Sequence, residues 1–202
     1  MTMSISAVIL AGGQAKRMEG ADKGLQLLHG KPLFQFIYDR LHSQVETISI
    51  NANRNQTIYA AAGVPVFGDN LEGFQGPLSG ILTALERADS DFVLFVPCDS
   101  PFFPDNLLEK LKSAVDFHGV SIAYVHDGER EHPTFCLMAC GLKDKLAAYL
   151  ASGERRMLQF MRQNGAVSVD FSENKQAFTN INTLADLTYF NQQKDFSGFI
   201  AK

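Results

Sequence analysis

The sequence has no tryptophan, only three cysteines and no long apolar segment. Three cysteines cannot all pair with one another and their spacing does not match a zinc ribbon, so we expect buried, reduced thiols at Cys98, Cys136 and Cys140. The apolar runs are well short of the roughly 18 residues of a membrane span, and no signal-peptide pattern opens the chain. We therefore expect a cytoplasmic protein with no membrane partner.

The chain also lacks an excess of positive charge. Eighteen Lys and Arg residues against 22 Asp and Glu residues give a formal net charge of -4. Nucleic-acid binding requires concentrated cationic surface, so we expect no nucleic-acid partner. With 46% hydrophobic residues in 202, the chain has the size and composition of a single globular domain over residues 1–202.

Strand and helix patterns alternate through the first part of the chain. Apolar runs predict strands at residues 5–10, 47–50, 64–67 and 92–96. Helical spacing predicts helices from Pro32, through 59–62 with Gly63 as the cap, from Pro77, and across Leu107 to Val115. This alternation favours an α/β fold with three layers, in which helices cover both faces of a mostly parallel, twisted sheet.

The pattern changes after Gly119. Strands are predicted at residues 121–125, 134–139 and 167–171, and helices at 142–151 and 156–162. The polar segment 126–133 separates the first two of these strands. Thr183, with Asp186 three residues later, predicts a capping box at the start of a last helix.

The segment 12–31 follows the first predicted strand and is rich in glycine. It carries four basic residues and two acidic ones, a local charge of 4 - 2 = +2: Lys16, Arg17, Lys23 and Lys31 against Glu19 and Asp22. Glycine N–H groups and basic side chains together suit a polyphosphate, although a solvated loop is the alternative. The segment contains neither a P-loop nor a dinucleotide-binding fingerprint. Segments 12–31, 51–53, 69–76 and Asp99 all follow predicted strands, so we expect them at one edge of the sheet.

The residues of this segment carry a resemblance. Leu10-Ala11-Gly12-Gly13, Arg17-Met18 and Asp22-Lys23 look like the signature loop of the nucleotidyltransferases. Together with the motifs at 76–80, 97–99, 126–133 and 180–183, the chain resembles the molybdenum cofactor guanylyltransferases over residues 5–190.

The resemblance implies a Rossmann-like nucleotidyltransferase fold, with a nucleotide-binding half at 5–119 and an acceptor-binding half at 120–194. It implies transfer of GMP from GTP to Mo-molybdopterin, which yields the guanine dinucleotide form and pyrophosphate. Molybdenum-insertion proteins and recipient molybdoenzymes are further expected partners.

The resemblance also suggests roles for charged residues. Arg17 and Lys23 would hold the phosphates and stabilise charge on the departing pyrophosphate, and Asp99 would bind Mg²⁺. A capping or loop carboxylate is the alternative for Asp99. The acceptor phosphate is already anionic near neutral pH, so the reaction requires no general base.

Nucleotide contacts are carried over from the family to seven positions: Leu10, Ala11, Gly12, Lys23, Asn51, Asp69 and Asp99. Asn51 and Asp69 could instead be Asx-turn residues. Gly13 would offer its backbone to phosphate. Gly76, Pro77 and Leu78 would lie along the nucleoside, unless Pro77 serves only to start a helix.

For the molybdopterin acceptor, we expect Arg155, Arg156, Asn180 and Asn182, with segment 126–133 as a wall or lid. The two arginines could equally form a solvated helix start. Glu19 stands where the family commonly has glycine, and we expect its carboxylate to point outward. Two other functions stay open: a same-fold transferase for another nucleotide or a sugar phosphate, and a GTP-binding module without turnover.

Overall fold

The computed structural model describes residues 3–13, 22–73, 75–196 and 199. The strands in these ranges are β1 (Ile5–Leu10), β2 (Leu27–Leu28), β3 (Lys31–Pro32), β4 (Ile48–Asn51), β5 (Val66–Phe67), β6 (Phe92–Pro97), β7 (Ile122–His126), β8 (Glu131–Ala139) and β9 (Val167–Asp170). The α-helices are α1 (Leu33–His42), α2 (Gln56–Ala60), α3 (Pro77–Arg87), α4 (Leu107–His118), α5 (Lys143–Ala151), α6 (Met157–Gln163) and α7 (Leu184–Gln192). Short 3-10 helices span Lys23–Leu25, Cys140–Leu142 and Ser172–Phe178.

The main sheet of the described residues has seven strands in the order β5-β4-β1-β6-β8-β7-β9. The first four are parallel, β8 is antiparallel to both of its neighbours, and β9 is parallel to β7. Only β8 runs against the rest, because it returns from β7 as a hairpin and inserts beside β6. The predicted mostly parallel sheet is confirmed.

Hydrophobic cores fill both faces of this sheet. Alternate side chains of β6 enter different cores: Leu94 and Val96 pack under α1 and α4, whereas Val93 and Phe95 pack under α3, α5 and α6. Successive side chains of a strand point to opposite faces, so an unbroken apolar run such as β6 requires cover on both sides. The predicted three-layer arrangement is thus confirmed.

In a third apolar cluster, the C-terminal part of the chain packs against the small β2–β3 hairpin and the start of α1. Leu28 and Leu33 pack there with Ile181 and Phe190, and all four are buried. This packing brings the segment that precedes α7 next to the turn that contains Lys23. The capping box predicted for α7 is confirmed, since the Thr183 and Asp186 side chains each accept from the other's backbone N–H.

Some predicted boundaries are wrong for identifiable reasons. Pro32 does not start α1, because it pairs with Leu27 in the β2–β3 hairpin. β8 begins at Glu131 and not at residue 134, since a register shift in its pairing with β7 extends the hairpin. β8 ends at Ala139, so Cys140 lies just beyond it, in a 3-10 helix. None of the helices described is long and apolar enough to cross a membrane.

Candidate active site at the carboxyl edge of the sheet

Lys23 and Asp99 form an ion pair at the carboxyl edge of the sheet. Lys23 opens a 3-10 helix within the glycine-rich segment 12–31, and Asp99 follows β6. The Lys23 Nζ atom lies 3.1 Å from Asp99 Oδ2 and 2.6 Å from Asn182 Oδ1. The two charged side chains are 24% and 14% exposed, so both remain open to a ligand. Lys23 and Asp99 thus lie at one edge of the sheet, as expected for segment 12–31 and Asp99.

The segment with Asn180 and Asn182 is tied to the end of β6. The Ile181 backbone N–H donates to the Asp99 carbonyl at 2.7 Å. The Ser100 hydroxyl lies 2.7 Å from Asn180 Oδ1 and 3.2 Å from Asp99 Oδ1. Both asparagines are therefore held beside the ion pair.

A cavity of about 390 Å³ opens at the carboxyl ends of β1, β4 and β6, where Leu10, Asn51 and Pro97 line it. Seven residues predicted to bind the nucleotide line it: Leu10, Gly12, Gly13, Asn51, Asp69, Gly76 and Pro77. The side chains of Ala11 and Leu78 are instead buried in the two cores. These two residues could meet a nucleotide only through main-chain atoms. Gln75, Pro97 and Thr134 complete the wall and were not predicted to bind the nucleotide.

Asn51, the last residue of β4, is held between two glycines. Its Nδ2 donates to Asp69 Oδ1 at 2.8 Å, and the residue is only 2% exposed. A Cβ atom at Gly80 would lie 2.3 Å from Asn51 Oδ1, and one at Gly12 would lie 3.0 Å from the same atom. Gly80 therefore admits the Asn51 side chain, a role beyond the helix-start chemistry considered from the sequence.

A second cavity, of about 360 Å³, lies beside the ion pair, since Asn182 lines it and accepts from Lys23 Nζ. Asn180 and Asn182 line it together with Asp127, Arg130 and His132 from the β7–β8 hairpin. The segment 126–133 thus forms a wall, as expected, but part of it is strand β8. The individual roles of Asp127 and His132 were not predicted, because their contact depends on the hairpin register.

Asp127 organises the hairpin turn. One carboxylate oxygen accepts from the backbone N–H groups of Glu129 and Arg130, and the other lies 2.7 Å from His132 Nε2. Burial raises the pKa of Asp127, but these hydrogen bonds, that of His132 first, outweigh burial and lower the pKa to about 2. The carboxylate therefore stays ionised and keeps the wall of the second cavity in one shape.

The structure does not bring the two predicted arginines to this cavity. Arg155 donates from Nε to Gln75 Oε1 at 2.8 Å, which places it behind the wall of the first cavity. Arg156 is exposed, and its Nε lies 3.9 Å from Glu154 Oε2. Their expected grouping with Asn180 and Asn182 needs correction, because Arg155 is held by carbonyls at the end of α5. Arg17 and Glu19 lie outside the described residues.

The metal-donor atoms beside the Lys23–Asp99 ion pair are oxygens. Asp99 supplies a carboxylate, and Asn180 and Asn182 supply amide oxygens nearby. No group of three or more His, Cys, Asp or Glu side chains suited to a metal occurs in the residues described. One carboxylate among neutral oxygens suits Mg²⁺, which usually takes one or two carboxylates and completes its shell with water and substrate phosphates.

Cys98 lies beside the ion pair but is buried. Burial, and then the nearby carboxylates of Asp99 and Asp22, raise the pKa of its thiol far above the ordinary value. The thiol stays neutral, which argues against a nucleophilic role. The prediction of buried, unpaired thiols is confirmed for Cys98 and Cys136, whereas Cys140 is half-buried.

Comparisons with known proteins identify the family and the fold. A family model described as the MobA-like NTP transferase domain matches residues 7–167. A crystal structure of molybdopterin-guanine dinucleotide biosynthesis protein A from Archaeoglobus fulgidus shares the fold with a TM-score of 0.76. It is 20% identical, and the match covers 93% of this chain and 97% of that one. The chain is therefore a nucleotidyltransferase of the MobA-like class.

Curated relatives narrow the class. A protein from Mannheimia succiniciproducens, named molybdenum cofactor guanylyltransferase, is 70% identical over 93% of this chain and 98% of its own length. A protein of the same name from Haemophilus influenzae is 63% identical over 93% of this chain and 97% of its own. The chain belongs to the molybdenum cofactor guanylyltransferase family.

Proposed function

We propose that this protein transfers GMP from GTP to Mo-molybdopterin beside the Lys23–Asp99 ion pair, with the two cavities described above as the binding sites. The observation that carries the proposal is the position of the Lys23 ammonium, which contacts Asp99 and Asn182 at once. Asn182 also lines the second cavity. A cation at the position of Lys23 would contact the phosphates of both proposed ligands.

The proposed first cavity ligand is GTP. Asn51 and Asp69 line its wall, and the Asp69 carboxylate can accept from guanine N1–H and its exocyclic amine. Gly12 and Gly13 leave space for phosphate near the start of the loop. Lys23 would hold the triphosphate at the open end, with Arg17 as the second predicted cation.

The proposed second cavity ligand is Mo-molybdopterin. Its phosphate would approach Lys23 past Asn182, while Asn180 and the β7–β8 hairpin bound the pterin. We keep the nucleotide-binding half at 5–119 and the acceptor-binding half at 120–194 as part of this proposal. Arg155 would support the nucleotide wall through Gln75.

The proposed reaction is a displacement at the α-phosphorus of GTP. An oxygen of the acceptor phosphate forms a bond to that phosphorus, the bond to the β-phosphate bridging oxygen breaks, and pyrophosphate leaves. The obstacle is repulsion between two anions, so positioning and charge neutralisation supply the rate enhancement. Lys23 contributes both, because its ammonium lies beside Asp99 and Asn182, and Asn182 lines the second cavity.

Asp99 would hold Mg²⁺, with any further ligands coming from phosphate, water and the neighbouring amide oxygens. Bound there, the ion would neutralise part of the triphosphate charge. In the structure Asp99 pairs with Lys23. When phosphates enter, we expect Lys23 to turn to them and leave the carboxylate to the metal.

The proposal places the protein in the cytoplasm, where unpaired thiols such as Cys98 and Cys136 stay reduced. Mo-molybdopterin would come from molybdenum-insertion proteins, and the product would pass to recipient molybdoenzymes.

The test is incubation with GTP, Mg²⁺ and Mo-molybdopterin, followed by mass analysis for the dinucleotide product and measurement of pyrophosphate. We expect product with GTP and none with the Asp99→Ala variant. Product with CTP or UTP and a sugar phosphate would favour the same-fold alternative. Magnesium-dependent GTP binding without pyrophosphate release, with acceptor present, would favour a binding module.

A further inference from the structure

A buried hydrogen bond holds the turn that carries Lys23 in place. Tyr59, on α2, is fully buried, and its hydroxyl donates to Asp22 Oδ1 at 2.6 Å. Asp22 is itself only 7% exposed. Asn55, at the start of α2, donates from Nδ2 to the other carboxylate oxygen at 3.3 Å. Two donors from one element thus converge on the residue that precedes Lys23.

The backbone around Asp22 is fixed as well. Its carbonyl accepts from the Leu25 N–H at 3.2 Å and from Gln26 Nε2 at 3.0 Å, which closes the 3-10 helix. The Asp22 side chain and backbone together therefore define where the Lys23 Cα atom lies. Burial raises the pKa of Tyr59 well above its ordinary value, so the phenol remains a proton donor at any working pH.

Gly24 shows how closely Tyr59 approaches this turn. A Cβ atom at Gly24 would lie 2.4 Å from the Tyr59 hydroxyl oxygen, a separation that real Cβ atoms do not adopt. The ring of Tyr59 is held in turn by Phe34, with centroids 5.0 Å apart in an edge-on arrangement. The hydroxyl is therefore confined between Asp22 and Gly24.

We propose that Tyr59 and Asp22 are positioning residues for Lys23. A lysine side chain is long and flexible, and its charge helps a reaction only where the stem begins at a fixed point. The Tyr59–Asp22 hydrogen bond supplies that fixed point for the lysine stem. The inference rests on the proposed function, since it assigns Lys23 to the phosphates of GTP.

Tyr59→Phe tests this directly, because it removes only the hydroxyl and keeps the ring against Phe34. A hydrogen bond to a charged acceptor is usually worth enough to change an equilibrium about tenfold or more. We expect kcat/KM for GTP to fall roughly tenfold, with the acceptor KM changed less than about twofold. Tyr149→Phe is the matched control, because it removes another tyrosine hydroxyl that donates a hydrogen bond, to the Arg156 carbonyl at 2.9 Å, and Tyr149 lines neither cavity.

A double-mutant cycle separates positioning from general stability. If Tyr59 acts through Lys23, then Tyr59→Phe should change GTP turnover less than about twofold in a Lys23→Ala background. A tenfold loss in that background as well, or equal losses for both substrates, would overturn the inference. Asp22→Asn, which keeps an oxygen for Tyr59, should retain more activity than Asp22→Ala, and equal losses would contradict it too.

Direct GTP binding with Mg²⁺ keeps this test apart from that of the function. We expect Tyr59→Phe to weaken GTP binding severalfold by titration calorimetry, whereas Tyr149→Phe should bind like the unmodified protein. Unchanged binding and unchanged kcat/KM in Tyr59→Phe would refute the positioning role and leave the proposed reaction intact. Weakened binding in a protein that forms no dinucleotide would support the positioning role and remove the proposed reaction.

Discussion

Gly80→Ala is the substitution whose effect the structure defines most sharply. The new methyl carbon would lie 2.3 Å from Asn51 Oδ1 and 2.9 Å from its Cγ. Gly80 is fully within α3 and Asn51 ends a buried strand, so neither backbone can yield easily. The Asn51 side chain must therefore rotate and give up its 2.8 Å hydrogen bond to Asp69.

Two opposing free energies follow from this change. Alanine is favoured over glycine inside a helix by about 1 kcal/mol, which would stabilise the fold. Loss of a buried hydrogen bond to a carboxylate costs about 1.5 to 3 kcal/mol. The net effect on the free energy of unfolding is small. The loss of the Asn51–Asp69 hydrogen bond, however, alters the wall of the nucleotide cavity. We therefore expect the KM for GTP to rise by roughly tenfold or more, since about 1.4 kcal/mol is a factor of ten.

The assay compares GTP kinetics and thermal unfolding of Gly80→Ala with those of Gly141→Ala, where an added Cβ meets no atom within 4 Å. We expect a raised KM only in Gly80→Ala, with the acceptor KM unchanged. In an Asn51→Ala background the same substitution should add little, because the clashing amide is gone. A higher melting temperature with an unchanged KM for GTP would refute the reasoning.

Three further predictions concern the charged residues. Asp99→Ala should abolish turnover while leaving the melting temperature within a few degrees, and retained magnesium-dependent activity would remove Asp99 from the metal site. Lys23→Ala should raise the KM for GTP at least tenfold and change the acceptor KM less, and equal losses would contradict its assignment to the triphosphate. The Asp127 pKa is lowered from 3.8 to about 2, so its stabilising contribution is present above pH 4 and is lost as the pH falls towards 2. Thermal unfolding against pH should therefore show a shallower acid decline in Asp127→Asn, and identical slopes would contradict this.

The sequence predicts the fold because its strands are distinctive. β6 is an uninterrupted apolar run and α3 has a clear apolar stripe, so both their type and their cover follow from pattern alone. The meeting of Lys23 and Asp99 also follows, because both come after strands whose carboxyl ends share one edge. The β2–β3 hairpin gives no such signal, since each of its strands has only two residues.

The supporting contacts of the site could not be predicted. Tyr59 meets Asp22 only because α2 packs below the Lys23 turn, and nothing in their spacing indicates it. His132 meets Asp127 through the register of a bulged hairpin. Arg155 was assigned to the acceptor from its charge, but the end of α5 directs it to Gln75. Side-chain partners of this kind depend on tertiary packing.

The central claim is that a triphosphate and an acceptor phosphate bind on either side of the Lys23–Asp99 ion pair. A crystal structure with Mg²⁺ and a GTP analogue that cannot be cleaved at the α-phosphate tests it most directly. The account predicts guanine beside Asn51 and Asp69, with phosphate oxygens on Lys23 Nζ and the metal on Asp99. A nucleotide bound elsewhere, with the Lys23–Asp99 ion pair intact, would contradict it.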